Sequence, residues 1–170
     1  MQIVGTPISA DELRRILDYD PLTGIFTWKV KTSRKVVVGT RAGSYRDGGY
    51  GRINIAGRQY TMQWLAWLHY YGRPPKDLVD HRDHCGSNNR IANLRECTHA
   101  QNMHNTRRSK RNKSGAKGVR FRSDFDRWVA YIKAPNRKTK HLGLFDSFEM
   151  AAEFRQLACD LLHGDFACHA

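Results

Sequence analysis

The sequence predicts an α+β protein: a small mixed module, a basic linker, and a second module in which a three-stranded antiparallel sheet packs on one helix. Three observations carry this. A capped helix near the start is followed by short strand-like runs broken by Gly48-Gly49 and Ala56-Gly57. The segment Thr106 to Ser114 (TRRSKRNKS) contains no apolar residue. From Gly115 the pattern changes to three short strands and a helix.

In order along the chain, Ser9 with Glu12 makes a capping box and Ile8 can staple onto Leu13, so a helix begins there with Leu13, Ile16 and Leu17 on its apolar face. Asp20-Pro21 and Thr23-Gly24 end it, and Ile25 to Val30 reads as a strand. Lys31 to Lys35 is a basic connector, after which Val36 to Val38, Tyr50 to Ile55 and Gln59-Tyr60 read as further strands. Met62 to Tyr71 is an amphipathic helix with Leu65, Ala66 and Leu68 inward, stopped by Gly72-Arg73-Pro74-Pro75. Cations such as Lys29, Arg41 and Arg52 can line a phosphate-tracking face or simply be the solvated surface of a small scaffold.

Val79 to Asn105 then concentrates a carboxylate, histidines and amides between short apolar stretches. Phosphodiester cleavage needs a water nucleophile, a base to deprotonate it and a cation to neutralise charge, and this stretch can supply all three. In Leu78-Val79-Asp80-His81 the adjacent carboxylate and imidazole point to opposite faces of an extended segment. Asp80 is a hard oxygen donor suited to magnesium, and His81 titrates near neutrality. Asn93, between apolar neighbours, can bond backbone and hold a hairpin or an imidazole in place. Thr98 with Gln101 three residues on marks another helix start, placing Asn102 and Asn105 on one face where an amide oxygen can meet a metal.

Lys and Arg outnumber Asp and Glu by 29 to 16, giving a net charge of +13, and polyanions are the natural partner. A membrane-surface protein would carry the same charge, but no apolar run approaches a spanning length and no signal peptide is read, so a soluble intracellular protein is expected. Cys85, Cys97, Cys159 and Cys168 are too scattered for a disulfide scaffold. Cys85 and Cys97 with His84 and His99 could make a zinc site, but the paired Cys-x-x-Cys spacing is absent and no structural zinc is expected.

The second module opens with Gly118 to Arg122, then Trp128 to Lys133 and Thr139 to Gly143 as strands. Asp146 with Glu149 caps a helix whose Ala151, Phe154, Ala158 and Leu161 form one apolar face. Alternation turns Val119 and Phe121 to that helix and sends Arg120, Arg122 and Lys133 to the opposite face, where a basic sheet can enter a major groove. Arg107, Arg108, Lys110, Arg111 and Lys113 of the linker are the expected phosphate contacts.

The order Asp-His, then Asn-Leu, then a polar helix carrying Asn resembles the HNH nuclease motif, a ββα-metal finger. It is most similar to the homing-endonuclease branch, in which the last ligand is asparagine. That resemblance implies His81 as general base, Asp80 and Asn102 as ligands of Mg2+ or Mn2+, and Asn93 as the structural middle asparagine of the catalytic site. The strings DPLTGIFTW and WLAWLHYYG extend it to phage-type HNH endonucleases, from about Leu13 to Asn105. One departure is Gln63-Trp64, where that family often carries a basic or imidazole residue. The string GVRF…RWVAYI…HLGLFDSFEMAAEF resembles the plant ethylene-response-factor DNA-binding domain.

The expected organisation is a nuclease module over 1–106 with its finger at about 78–106, a linker over 107–114 and a DNA reader over 115–170. The expected activity is metal-dependent, site-specific endonuclease cleavage of double-stranded DNA by a phage- or intron-type mobile element, with no membrane association and no small-molecule cofactor. A non-catalytic, sequence-specific DNA-binding regulator is the alternative.

Overall fold

Ser9 does what its position in the sequence suggests: its hydroxyl accepts from the Glu12 amide at 3.2 Å, and helix α1 (Ala10–Ile16) follows. The computed structural model describes residues 8–45, 49–104, 112–134 and 138–168. The chain divides into two compact units, Met1–Cys97 and Thr98–Ala170.

In the first unit, α1 stops before Leu17, which opens strand β1 (Leu17–Asp20) rather than closing the helical face. The spacing of Leu13, Ile16 and Leu17 suits a helix, but Leu17 and Tyr19 alternate with exposed Asp18 and Asp20. β1 pairs antiparallel with β2 (Ile25–Trp28), from Leu17 opposite Trp28 to Asp20 opposite Ile25. In the intervening turn the Asp20 carboxylate accepts from the Leu22 amide at 2.9 Å and the Thr23 hydroxyl at 2.7 Å. Those donors, the Thr23 hydroxyl first, lower the pKa of Asp20 below the usual carboxylate range.

Val36 to Val38 is not a strand. Only Val36 packs against the core, Val37 and Val38 are exposed, and the segment turns so that the Gly39 amide donates to the Trp28 carbonyl at 2.8 Å. β-branching favours a strand only where a neighbouring strand offers a surface to cover.

Strands β3 (Ser44–Tyr45), β4 (Gly51–Ile55) and β5 (Arg58–Thr61) form an antiparallel sheet in that order. Helix α2 (Met62–Tyr71) begins directly after β5 and ends at Gly72, whose φ of +70° takes the left-handed cap. Its Met62, Leu65, Ala66 and Leu68 join Leu13, Leu17, Phe26 and Ile53 in the core. Strand β6 (Leu78–His81) pairs with β7 (Leu94–Cys97) as the last hairpin of this unit, and Leu94 reaches the same core.

The second unit begins with Thr98, whose hydroxyl accepts from the Gln101 amide at 3.2 Å while the Gln101 side chain accepts from the Thr98 amide at 2.8 Å. This reciprocal cap starts helix α3 (His99–His104). Strands β8 (Val119–Arg122), β9 (Arg127–Lys133) and β10 (Thr139–Phe145) form an antiparallel sheet with β9 central, and helix α4 (Phe148–His163) packs on it.

Helix α4 departs from the expected pattern in its cap and in its buried face. Its cap is Ser147, whose hydroxyl accepts from the Met150 amide at 3.2 Å, whereas Asp146 pairs with Arg127. Its buried residues are Ala151, Arg155 and Cys159, while Phe154 is 47% and Leu161 87% exposed. Apolar periodicity sends arginine outward by default, yet Arg155 lies inward, where its guanidinium donates to the Cys168 carbonyl at 3.2 Å. Phe121 also departs from expectation. It meets Trp128 edge-on, and Trp128 meets Phe148 of α4, but β8 is an edge strand and leaves Phe121 47% exposed.

Candidate active site

The register of the β6–β7 hairpin places Asp80 opposite Arg95 and His81 opposite Leu94. Residues directly opposite share a face, so Asp80 and Arg95 meet. The Asp80 Oδ2 accepts from Arg95 Nε at 3.0 Å and Nη2 at 2.8 Å, with both side chains buried. An ion pair in low dielectric stays in place only with such geometry. The Asp80 carboxylate is therefore held in a fixed orientation.

His81 lies on the other face, only 3% exposed. Its Nε2 is 3.2 Å from Asn89 Oδ1, and the Tyr50 ring meets the imidazole edge-on, with centroids 5.7 Å apart at 64°. Burial pushes the imidazole pKa below its ordinary value, against the opposing pull of the Asn89 bond and of the Asp83 and Asp80 carboxylates. A buried imidazole of lowered pKa is neutral at physiological pH, the state a proton acceptor needs.

The loop between the two strands is organised by Asp83. Its Oδ1 accepts from the Cys85 amide at 2.8 Å and from Asn93 Nδ2 at 2.9 Å, and its Oδ2 accepts from Asn88 Nδ2 at 2.7 Å. Burial opposes ionisation of this carboxyl, but the three donors outweigh it and hold the pKa below the usual range. Asn93 closes the loop from the far side, its Oδ1 accepting from the Asp83 amide at 3.1 Å and its Nδ2 donating to the Asn88 carbonyl at 2.8 Å. This is the hairpin-holding task that an amide between apolar neighbours suggests. The amide that meets the imidazole, however, belongs to Asn89.

This segment is similar to known proteins. Residues 60–104 match the family model described as HNH endonuclease. An uncharacterised HNH endonuclease of Acanthamoeba polyphaga mimivirus is 33% identical over 120 residues, which are 70% of this chain and 61% of that protein. The chain thus spans less than two thirds of the length of that relative. Among solved structures, one described as DNA binding and cleavage by the HNH homing endonuclease I-HmuI is similar at 22% identity and a TM-score of 0.42, covering 88% of this chain and 84% of that one.

Of the residues singled out from the sequence, Asp80, His81 and Asn93 lie on or beside the β6–β7 hairpin in the first unit, and Asn102 lies exposed on α3 in the second. Arg107, Arg108, Lys110 and Arg111 lie outside the described residues, as does Asn105. Lys113, Arg120 and Lys133 are exposed in the second unit. Arg120 stands over the Tyr131 ring at 5.9 Å, and Arg122 is tied to Asp124 and stands over Phe125 at 5.1 Å. Asn112 to Ser114, expected as the end of the linker, form a turn in which Asn112 Oδ1 accepts from the Ser114 amide at 3.0 Å. Among the described residues no group of three or more His, Cys, Asp or Glu side chains is placed to hold a metal ion, and no helix is long and apolar enough to cross a membrane.

Sequence reasoning missed Asp83, Asn89 and Arg95. Asp83 had a local signal, an Asx turn to the amide of Cys85 two residues on. The roles of Arg95 and Asn89 depend on strand register and on a chain segment about 70 residues away, and neither is written locally.

Proposed function

We propose that the chain is a divalent-metal-dependent endonuclease that binds double-stranded DNA site-specifically and hydrolyses a phosphodiester bond, with His81 as general base. The observation that carries this reading is a buried imidazole of lowered pKa beside a fixed carboxylate, inside the segment that matches the HNH endonuclease family. The net charge of +13 supports a nucleic-acid partner.

His81 takes a proton from water, the resulting hydroxide oxygen bonds phosphorus, and the bond from phosphorus to the 3′ oxygen breaks. The residues that would hold the cation are Asp80, through its carboxylate, and Asn102, through its amide oxygen, both hard oxygen donors of the kind magnesium takes. A carboxylate has lone pairs on both oxygens, so the Arg95 bonds to Oδ2 are compatible with such a role and keep the group aimed. When bound, Mg2+ or Mn2+ supplies charge neutralisation at the phosphate and the leaving oxygen.

In the second unit, the proposed reader is the face of the β8–β10 sheet that carries Arg120. A depression of about 440 Å3 beside β8, lined by Asn112, Lys113, Ser114, Arg120 and Tyr131 among others, sets the end of the basic segment next to that face. The linker cations Arg107, Arg108, Lys110 and Arg111 are proposed to contact phosphate.

The alternative, a DNA-binding regulator without catalysis, draws on the Asp80–Arg95 pair, because a carboxylate satisfied by arginine also suits a purely structural hairpin. Incubating the protein with supercoiled plasmid, with magnesium or with chelator, separates the two readings. Nicked or linear product that requires the metal is expected; binding without product at any metal concentration supports the regulator.

A further inference from the structure

Tyr50 directly precedes β4 and is 51% exposed, yet its ring is held by two contacts. It meets the His81 imidazole edge-on, with centroids 5.7 Å apart. It also lies on Gly86, in the loop between β6 and β7, where an added Cβ would stand 3.0 Å from Tyr50 Cδ1 and Cγ and 3.1 Å from Cε1. Three ring carbons at nearly equal distance place the glycine over the ring face rather than at its rim. Any side chain at 86 would push the ring away. Among the described residues the Tyr50 hydroxyl has no hydrogen-bond partner.

The imidazole is 3% exposed, so a phosphate that reacts there must arrive against the groups that border it. Asn89, which meets one side of the ring, is itself fully buried, whereas Tyr50 is half exposed. DNA that reaches His81 therefore lies against Tyr50. A phenol O–H is a donor, phosphate oxygens are acceptors, and tyrosine is among the side chains that bond them, fixing the register of a protein on the duplex without reading its sequence.

We propose that Tyr50 is a DNA-positioning residue of the first unit: its hydroxyl donates to a phosphate oxygen beside the bond to be cut, with the ring aimed by its contacts to Gly86 and His81. This rests on the nuclease reading for which phosphate is met, but the contact itself is measurable on uncut DNA. A contact made equally before and during reaction acts on binding rather than on the chemical step. The first unit thereby gains its own hold on DNA, separate from the cations proposed for the linker and the second unit.

The test uses the full chain and a short duplex selected for tight binding in chelator, so that no binding measurement requires cleavage. Tyr50→Phe keeps the ring over the imidazole and removes only the hydroxyl. It should raise Kd, and KM where cleavage is followed, about 10-fold, the usual effect of one hydrogen bond to a charged group, with kcat within a few-fold of wild type. Methylphosphonate placed at single positions along each strand removes the accepting charge one phosphate at a time. At one position beside the cut bond it should weaken binding by wild type about 10-fold more than binding by Tyr50→Phe. Wild-type affinity in Tyr50→Phe, or a loss that couples to no single phosphate, overturns the inference and leaves the ring as a cover for the imidazole. Coupling only to a phosphate far from the cut bond overturns it as well. Coupling to one phosphate with no cleavage by wild type at any metal concentration would refute the nuclease reading and leave the DNA contact standing.

Discussion

The loop between β6 and β7 and the sheet of the second unit employ polar side chains in opposite ways. In the loop, Asp83, Asn88, Asn89 and Asn93 bond one another and the main chain, and the imidazole they surround is almost fully buried. On the sheet, Arg120 is exposed and rests on the Tyr131 ring, a contact that restrains the guanidinium without using up its donors. Proton transfer needs a group fixed before substrate arrives, whereas base reading needs donors that can still reach a groove. Arg122 stands between these cases, because its fork is already engaged by Asp124.

Single substitutions in each region put this contrast at risk. Arg95→Met removes the guanidinium from the buried Asp80 carboxylate, and removing one member of a buried pair typically costs about 3–5 kcal/mol. Urea unfolding monitored by tryptophan fluorescence should show that loss; a shift within about 0.5 kcal/mol, as for an ordinary surface change, would mean that the pair contributes nothing. Asn93→Ala removes the bond to the Asp83 carboxylate together with the one from the Asp83 amide, with an expected loss of about 1.5–3 kcal/mol, the range for a hydrogen bond to a charged group such as the first. Unchanged stability on the same measurement would place the order of the loop elsewhere.

On the sheet, Arg120→Ala should weaken binding to the true target by about 1–3 kcal/mol more than to scrambled duplex at fixed salt. Arg122→Ala should discriminate less, since Asp124 competes for the guanidinium. Equal losses on both duplexes would make the face an electrostatic anchor.

The smallest effect concerns Glu96, whose pKa is lowered to about 2, first by the Arg73 hydrogen bonds and also by the Lys76 amide. A carboxyl with a depressed folded pKa contributes stability that is complete above its unfolded value and lost as the pH falls through about 2. Arg73 is half exposed, so solvent screening holds the contribution to no more than that of an ordinary surface ion pair. Arg73→Met should flatten stability against pH in that acid window only, and an effect at neutral pH larger than this would show a second role for Arg73.

Much of the frame was legible from local pattern. The caps at Ser9 and Thr98 are single-turn chemistry, and α2 occupies the segment its apolar face and following Gly72 suggest. Strands form where alternation coincides with a partner, as for β4 and β9, and not at Val36 to Val38, which pair with no strand among the described residues. Leu17 and Arg155 show the same limit, since a long-range neighbour decides whether one belongs to a strand and the other to a core. At the candidate site, Asp80, His81 and Asn93 stand out because their residue types and spacing carry chemistry. Arg95 and Asn89 do not, because their meaning arises only when the register pairs 80 with 95 and the turn at Gly24 meets residue 89.

If His81 performs proton transfer while DNA affinity resides elsewhere in the chain, its removal must separate rate from binding. Single-turnover cleavage of plasmid in magnesium by wild type and His81→Ala, with duplex affinity measured on the same preparations, makes that separation visible. The expected result is a rate reduced by about 10²- to 10⁴-fold, the usual contribution of a general base, with affinity within a few-fold of wild type. Cleavage by His81→Ala at near wild-type rate would contradict the assignment.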